Sequence, residues 1–347
     1  MDISYYFKQA IEKKASDLHL VAGSVPALRI DGELVKFKEK AIEAKDFENS
    51  IRSLIDERTM ERFERKRELD ISKEFFDARF RINLHYQEGK MGLSARLIPK
   101  FVPSPDEIGL NEVIYNFTHL RDGLIIVTGP TGCGKSTTLA TMIDIINNER
   151  KAHIITIEDP IEFLIQEKQS IIEQREIGFD TRSFATGLKY ALRQDPNVIM
   201  VGEMRDKETI SAALTAAETG HLVLSTLHTI AAPETIERIV DVFPAHQQTQ
   251  IFNQLASVLR AVIAQQLLPQ IKGGLVAVRE IMINNRAIAN LIRQNQISQI
   301  YTVIQTSSKE GMIDMNKAID ILARKGIISE TVAKNRKRDL ATMAAYY

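Results

Sequence analysis

The sequence predicts an α/β protein in which a small α+β domain precedes a larger domain with a parallel, doubly wound sheet. Two observations support this: four strand-like runs alternate with helical segments, which is the order of parallel strands with crossover helices; and a separate group of short strands lies before them, ahead of a proline-punctuated segment at 99–105. The four runs are residues 123–128, 153–158, 197–202 and 222–227.

Composition limits the classes of protein that fit. With 347 residues, 44% of them hydrophobic, the chain is long enough for about two domains. The 45 basic and 45 acidic residues cancel, so net charge favours neither nucleic acid nor an anionic membrane as a partner. The single cysteine, Cys133, excludes an intramolecular disulfide and any zinc module that needs two cysteines. The start of the chain does not resemble a signal peptide, and no apolar run approaches 18 residues, so we expect a cytoplasmic protein that does not span a membrane.

The elements of the first domain follow one another at short intervals. Period and turn residues predict a helix at 5–14, a strand at 16–21, a hairpin at 27–35 around Asp31-Gly32, a pair of helical segments at 47–63, and strands at 70–75, 79–86 and 91–98. His19, on the first strand, has no partner His or Cys nearby, so we interpret it as structural and not as a ligand.

Arginines stand out on the last strands of this domain. Alternation places Arg79 and Arg81 on one face, and Arg96 lies on the following strand. Two interpretations stay open at this point. Arginines on a sheet are usually surface cations, but they are also what a neighbouring subunit needs to stabilise phosphate charge in trans.

A phosphate-binding loop follows the first strand of the larger domain. It fits the G-x-x-x-x-G-K-[ST] pattern and lies between an apolar strand and a helical pattern, which is the context that supports the motif over a chance glycine-rich turn. We expect Lys135 to reach the β- and γ-phosphates and the Ser136 hydroxyl to ligate Mg²⁺. The loop residues are Gly129, Pro130, Thr131, Gly132, Cys133, Gly134, Lys135, Ser136 and Thr137.

Acidic or histidine side chains end three later segments. The strand at 154–158 leads into Asp159-Pro160 and Glu162, the apolar strand at 198–201 leads into Glu203, and His221 and His228 bracket the strand at 222–227. Each feature alone is weak evidence, but together, behind a phosphate loop, they indicate ATP or GTP hydrolysis with a Walker B acid.

The rest of the chain reads mostly as helix. We predict a helix at 206–219 with Asp206 as its cap and Gly220 as its end, a long amphipathic helix at 247–268, a strand at 274–283 and helices from 287 onward. A signalling GTPase would need an N-K-x-D sequence, and the nearest match, at 316–319, has Ile319 in place of the acid. A RecA-like nucleic-acid motor lacks support, because no basic stripe is interleaved with aromatics.

These motifs closely resemble those of the secretion-superfamily ATPases and, within them, the PilT-type retraction ATPases of type IV pili. The resemblance covers nearly the whole chain and lies in residues 16–20 (SDLHL), 79–83 (RFRIN), 96–99 (RLIP), 129–137, 156–162, 174–178 (QREIG), 201–206 and 219–229. It implies a homohexamer that binds ATP and Mg²⁺, works against an inner-membrane pilus platform protein and uses no nucleic acid. The implied domains are PAS-like at 1–100, a linker at 101–120, RecA-like at 121–285 and helical at 286–347.

The resemblance also implies roles for individual residues. Glu162 becomes the catalytic base and Glu203 the Walker B acid that handles Mg²⁺. His221 and His228 become nucleotide-sensing residues, and Arg81 and Arg96 complete the site. Retraction enzymes carry the sequence AIRNLIRE near the C-terminus, whereas residues 287–294 read AIANLIRQ here. This departure keeps a PilU-type accessory retraction ATPase as the alternative.

Overall fold

Six antiparallel strands and three helices make up the first part of the chain, Met1–Phe101, to which Glu162–Leu164 also belong as one compact unit. This computed structural model describes residues 1–30, 32–98 and 101–337. The sheet order is β3-β2-β1-β6-β5-β4. The elements are α1 (Ile3–Glu12), β1 (Asp17–Val21), β2 (Ala27–Ile30), β3 (Glu33–Lys36), α2 (Ala44–Leu54), α3 (Glu57–Lys66), β4 (Glu68–Phe75), β5 (Ala78–Gln87) and β6 (Lys90–Ile98).

An aromatic core holds this first unit together. Phe7 of α1 stacks on Phe75 with ring centroids 3.8 Å apart and meets the edge of Phe80 at 4.8 Å. Phe47 and Phe63, from α2 and α3, are also fully buried. The small antiparallel domain is therefore confirmed, with the predicted helices and strands in order; Asp31, in the predicted hairpin turn, lies outside the described residues.

The second compact unit contains a seven-stranded sheet of order β13-β12-β7-β11-β10-β8-β9. Strands from β12 to β9 run parallel, and β13 pairs with β12 antiparallel. The strands are β7 (Gly123–Thr128), β8 (His153–Glu158), β9 (Ile171–Glu176), β10 (Val198–Val201), β11 (Leu222–Leu227), β12 (Leu259–Pro269) and β13 (Leu275–Ile283).

Helices cover both faces of this sheet, as a doubly wound fold requires. Leu124 and Ile126 of β7 pack into one apolar cluster, whereas Ile125 and Val127 point into another on the opposite face. The helices are α4 (Glu112–Phe117), α5 (Lys135–Glu149), α6 (Phe184–Ala191), α7 (Lys207–Glu218), α8 (Ala232–Asp241), α9 (Ala245–Val258), α10 (Arg286–Arg293), α11 (Ile300–Thr306), α12 (Met315–Arg324) and α13 (Glu330–Arg336), with short 3-10 turns at Ile297–Gln299 and Ser308–Glu310. The predicted α/β class is confirmed.

The predicted helix at 247–268 is wrong in its second half. Helix α9 ends at Val258, and Leu259–Pro269 forms β12, which pairs with β7 on one side and β13 on the other. A central strand is apolar on both faces, so its hydrophobic pattern does not differ from that of a buried helix over a short run. Strand β9, at the sheet edge, was not predicted.

The segment between the two predicted domains has structure of its own. Within the predicted linker 101–120, helix α4 begins after its cap Asn111, and its Ile114 and Phe117 are buried. Pro99 and Lys100 lie outside the described residues, as do residues 338–347 of the predicted C-terminal helical segment. The domain boundaries at 100, 120 and 285 therefore stay predictions. No helix among the described residues is both long and apolar enough to cross a membrane.

Candidate nucleotide site

The phosphate loop leaves β7 at the carboxyl edge of the parallel sheet. Gly129, Gly132 and Gly134 have φ of 147°, 78° and 84°, a region that side chains with a Cβ rarely adopt. At Gly129 a Cβ would also lie 2.3 Å from the carbonyl oxygen of Gln265. The glycines of the motif are thus required by the backbone path and by the close approach of β12.

Helix α5 begins directly after the loop, with Gly134 as its N-cap. Its first residue, Lys135, is 9% exposed, and its Nζ donates to the carbonyl oxygens of Gly129, 2.8 Å away, and Pro130, 3.2 Å away. The lysine therefore lies across the concave side of the loop. The free N–H groups and positive dipole end of the helix make the same place favourable for phosphate.

The remaining loop residues differ in exposure. Pro130, Thr131 and Gly132 are exposed, and Ser136 and Thr137, in the first turn of α5, are partly exposed. All nine predicted loop residues thus lie together at one edge of the sheet. The Ser136 hydroxyl and the Glu203 carboxylate are hard oxygen donors, which is the ligand type that Mg²⁺ takes beside nucleotide phosphates.

Cys133 is the buried member of the loop, with 3% of its surface exposed. Burial raises the pKa of its thiol, and the nearby Lys135 opposes that rise only partly. The thiol is therefore mostly protonated at neutral pH, which agrees with its interpretation as a small loop residue and not as a reactive group.

Glu203 and His228 meet at the same edge of the sheet. Each follows a strand, β10 and β11 respectively, and His228 Nε2 lies 3.2 Å from Glu203 Oε2. Arg205 Nε lies 2.8 Å from the same oxygen. The Glu203 carboxylate is therefore held at its Oε2 by two nitrogen groups.

Threonines fix the backbone around this pair. Thr226 Oγ1 donates to the carbonyl of Gly202 at 2.6 Å, which anchors the residue before Glu203. Thr128, the last residue of β7, donates from Oγ1 to the carbonyl of Thr229 at 2.6 Å. The segment after His228 is thereby tied to the strand end from which the phosphate loop departs.

His221 lies at the other end of β11. Its Nδ1 is 2.9 Å from the carbonyl oxygen of Ala216 and 3.1 Å from Thr219 Oγ1, and its own carbonyl accepts from the N–H of Gly123 at the start of β7. A six-residue strand separates it from His228 by roughly 20 Å. The structure therefore does not bring His221 to the phosphate loop of its own chain, and its nucleotide-sensing role stays a prediction.

The acidic segment after β8 divides into a buried and an exposed part. Glu158 is 7% exposed and accepts from Thr156 Oγ1 at 2.6 Å and from Gln174 Nε2 at 3.2 Å. Glu162 is exposed and belongs to the first compact unit. Its role as catalytic base stays a prediction.

The two predicted arginines form a row on the sheet of the first unit. Arg81 and Arg96 pair directly across β5 and β6, and Asp17 and then Arg29 continue the row on β1 and β2. Arg96 Nε donates to Asp17 Oδ1 at 2.9 Å while 70% of the arginine side chain stays exposed. Three guanidinium groups and one carboxylate leave this row positively charged.

A buried polar group lies beneath the phosphate loop and was not predicted from the sequence. Gln265 of β12 and Arg279 of β13 are 2% and 7% exposed, and Gln265 Nε2 donates to the carbonyl of Cys133 at 2.6 Å. A polar residue in the middle of each apolar strand was the available signal. For Gln265 this signal is weak, because the apolar pattern of 247–268 predicts a helix.

Comparison with known proteins gives consistent matches. The family described as Type II/IV secretion system protein matches residues 107–311. The type IV pilus retraction ATPase PilT of Pseudomonas aeruginosa is 44% identical, over 97% of this chain and 98% of that protein. The type IV pilus ATPase PilU of the same organism is 35% identical, over 95% of this chain and 87% of that protein.

A solved structure matches over the same length. The crystal structure of the pilus retraction motor PilT with bound ADP aligns with a TM-score of 0.92 at 44% identity and covers 99% of each chain. This agreement extends to the antiparallel first unit as well as to the parallel sheet that carries the phosphate loop. The chain belongs to the type II/IV secretion system protein family.

Proposed function

We propose that the chain is a Mg²⁺-dependent ATPase that powers type IV pilus retraction as a homohexamer. The observation that carries this proposal is the phosphate loop with Lys135 across it, at the same sheet edge as the Glu203–His228 pair. The 44% identity to a pilus retraction ATPase, over nearly the full length of both chains, supports pilus retraction as the process that ATP hydrolysis drives.

Binding is the task of the loop and of the start of α5. Loop N–H groups and the helix N-terminus surround phosphate oxygens, and Lys135 exchanges its two carbonyl acceptors for the β- and γ-phosphates. Ser136 contributes its hydroxyl to Mg²⁺. Bound there, Mg²⁺ would supply positive charge beside the phosphate oxygens.

Hydrolysis requires a positioned water and a base. Glu162 takes the proton of the attacking water, and Glu203, positioned by His228 and Arg205, would offer its carboxylate to Mg²⁺. His228 senses nucleotide through its contact with Glu203. His221, at the far end of β11, keeps the nucleotide-sensing role that the family resemblance implies.

The positively charged row of the first unit completes the site in an assembled ring. Arg81 and Arg96 stabilise charge on the transferring phosphate, as trans-acting arginines do in related phosphoryl-transfer enzymes. Activity then depends on assembly. The ring works in the cytoplasm against an inner-membrane platform protein of the pilus machine, with no nucleic acid as substrate.

The accessory retraction ATPase remains the second candidate. It is favoured by the altered segment 287–294, in which Ala289 replaces the expected arginine and is buried against the core of the second unit, 8% exposed. Sequence identity favours the role of primary retraction ATPase, because the chain is 44% identical to PilT and 35% identical to PilU. We therefore propose the primary retraction motor.

Purified protein tests the enzymatic part of this proposal. We expect ATP hydrolysis that is lost on chelation of Mg²⁺, in particles of six times the 39.2 kDa subunit mass by light scattering. Lys135→Ala should keep the particle mass and lose hydrolysis. Full hydrolysis by a monomeric species, or by Lys135→Ala rings, would contradict it.

A further inference from the structure

Gln265 and Arg279 are directly paired positions of the antiparallel ladder between β12 and β13. Both side chains are almost fully buried, at 2% and 7% exposed. They lie on the side of β12 that meets the phosphate loop, because Gln265 contacts that loop. Neither residue has a role in the proposed hydrolysis, so that role does not explain why two polar side chains are buried here.

Hydrogen bonds fix the orientation of the Gln265 amide. Its Oε1 accepts from Arg279 Nε at 2.7 Å and from Thr138 Oγ1 at 2.8 Å. The guanidinium nitrogen of Arg279 can only donate, so its partner is the amide oxygen and the amide nitrogen faces the phosphate loop. There Nε2 donates to the carbonyl of Cys133 at 2.6 Å.

Gln265 lies close to the loop at two further places. Its own carbonyl oxygen lies 2.3 Å from where a Cβ of Gly129 would be, and its Nε2 lies 3.1 Å from the corresponding point at Gly134. Gln265 therefore lies beside the first, middle and last parts of the loop and hydrogen-bonds to the middle part. A shift of Gln265 would move the carbonyl of Cys133 and, with it, the N–H groups on the phosphate side.

Arg279 holds Gln265 in place from behind. Burial lowers the pKa of its guanidinium to about 10, which still leaves it charged at neutral pH. In the described chain its hydrogen bonds go to uncharged oxygens: Gln265 Oε1, the carbonyl of Gly109 at 2.8 Å, the carbonyl of Ile108 at 3.0 Å and, more weakly, Thr138 Oγ1 at 3.5 Å. An apolar side chain of similar length would fill this position without the cost of burying a charge.

We propose that Gln265 and Arg279 are positioning residues that hold the phosphate loop in its nucleotide-binding shape. Gln265 contacts the loop directly, whereas Arg279 acts through Gln265 and joins the loop to the backbone at 108–109. The inference rests on the proposed function, since it assumes that the loop binds nucleotide. It adds a link from the segment before α4 to the nucleotide, by way of β13 and its neighbour β12.

Nucleotide affinity of volume-conserving variants tests this proposal. Gln265→Met, Arg279→Met and the double variant are titrated with a fluorescent ADP analogue and Mg²⁺, and the thermal unfolding midpoint is measured without nucleotide. Each single change should weaken ADP binding about tenfold or more, because it frees the loop from one buried hydrogen-bonded support. The double variant should bind no more weakly than the weaker single variant, since both residues act through one contact.

Arg150 offers a matched control. It is a half-buried arginine whose pKa is also lowered by burial, and its Nη1 donates to the carbonyls of Thr118 and Leu120 at 2.9 and 3.0 Å. It follows the last residue of α5, about 20 Å along that helix from the phosphate loop. Arg150→Met should lower the unfolding midpoint but leave ADP affinity within twofold.

Three results would overturn the proposal: ADP affinity within twofold of wild type in Gln265→Met or Arg279→Met, multiplied effects in the double variant, or equal weakening by Arg150→Met. If Arg279→Met is too unstable to purify, Arg279→Lys serves, because an ammonium group cannot reach Gln265 and both carbonyls together; the same weakening is expected. Wild-type protein that binds ADP but does not hydrolyse ATP would contradict the proposed function alone. Wild-type protein that binds no ADP would overturn both.

Discussion

Arg81 and Arg96 face each other as directly paired residues of β5 and β6. Paired residues of neighbouring strands share a face of the sheet, so both guanidinium groups lie on the same side. Asp17 binds Arg96 but leaves 70% of that arginine side chain exposed. Two cations held this close repel each other, and an anionic partner such as a phosphate relieves that repulsion.

Mixed rings test whether these arginines act in trans. Rings of Arg81→Ala subunits alone, or of Lys135→Ala subunits alone, should lose hydrolysis, roughly 10³-fold for a trans-acting arginine. Mixtures should recover part of the activity, because some interfaces combine an intact Arg81 with an intact Lys135. Arg52→Ala, which removes an exposed arginine paired with Glu48 and Glu64 in the same unit, is the control and should stay within twofold. No recovery at any mixing ratio would exclude a shared site.

Lys135→Ala should separate from the acidic variants in its effect on binding. It deletes the cation that lies across the phosphate loop, so ADP affinity should fall with turnover. Glu203→Ala and Glu162→Ala should keep ADP affinity within a few-fold and lower hydrolysis about a hundredfold or more, since they act on metal, water and proton. Glu208→Ala, an exposed acid in the first turn of α7, is the control. Equal losses of affinity and turnover in the acidic variants would contradict their roles.

His228→Gln should lower turnover about tenfold while nucleotide affinity stays within a few-fold. The change weakens the 3.2 Å contact with Glu203, and hydrogen bonds to charged groups contribute more than neutral ones. His119 is the control. It forms a similar contact, Nε2 to Glu149 Oε2 at 2.9 Å, and Glu149 is the last residue of α5, at the end of that helix away from the phosphate loop. Steady-state hydrolysis of His119→Gln should match wild type. A similar loss in both variants would mean that His228 only supports the fold.

Cys133 should resist alkylation in the native protein. Burial shields the thiol and raises its pKa, so at pH 7.5 the thiolate fraction lies below that of an ordinary cysteine. Iodoacetamide labelling followed by mass spectrometry should be at least about tenfold slower in native protein than in urea, and labelling should increase as pH rises. Equal rates in both states would show that the loop opens readily.

Local patterns predicted those parts of the site that one stretch of chain builds. The phosphate loop needs glycines where φ is positive and Lys135 at the start of a helix, and both requirements are met within nine residues. Glu203 could also be predicted, because it follows an apolar strand directly.

Contacts between distant residues could not be predicted. Gln265 binds Cys133, 132 positions away, and lies in a strand whose apolar pattern resembles a helix. The start of β12 is set by its pairing with β7, since nothing between Val258 and Leu259 marks a break. The separation of His221 from His228 follows from the length of β11, which can be predicted from the sequence. The family resemblance nevertheless implied the same nucleotide-sensing role for both histidines.

The most direct test of the proposed retraction motor combines two measurements on the same variants: pilus retraction in living cells and ATP hydrolysis by the purified protein. In the source organism, with its retraction ATPases deleted, the wild-type chain should restore retraction of labelled pili. Lys135→Ala, produced at the same level and assembled into rings, should restore none. Retraction driven by Lys135→Ala, or wild-type protein that hydrolyses ATP yet leaves pili unretracted in that strain, would contradict the account.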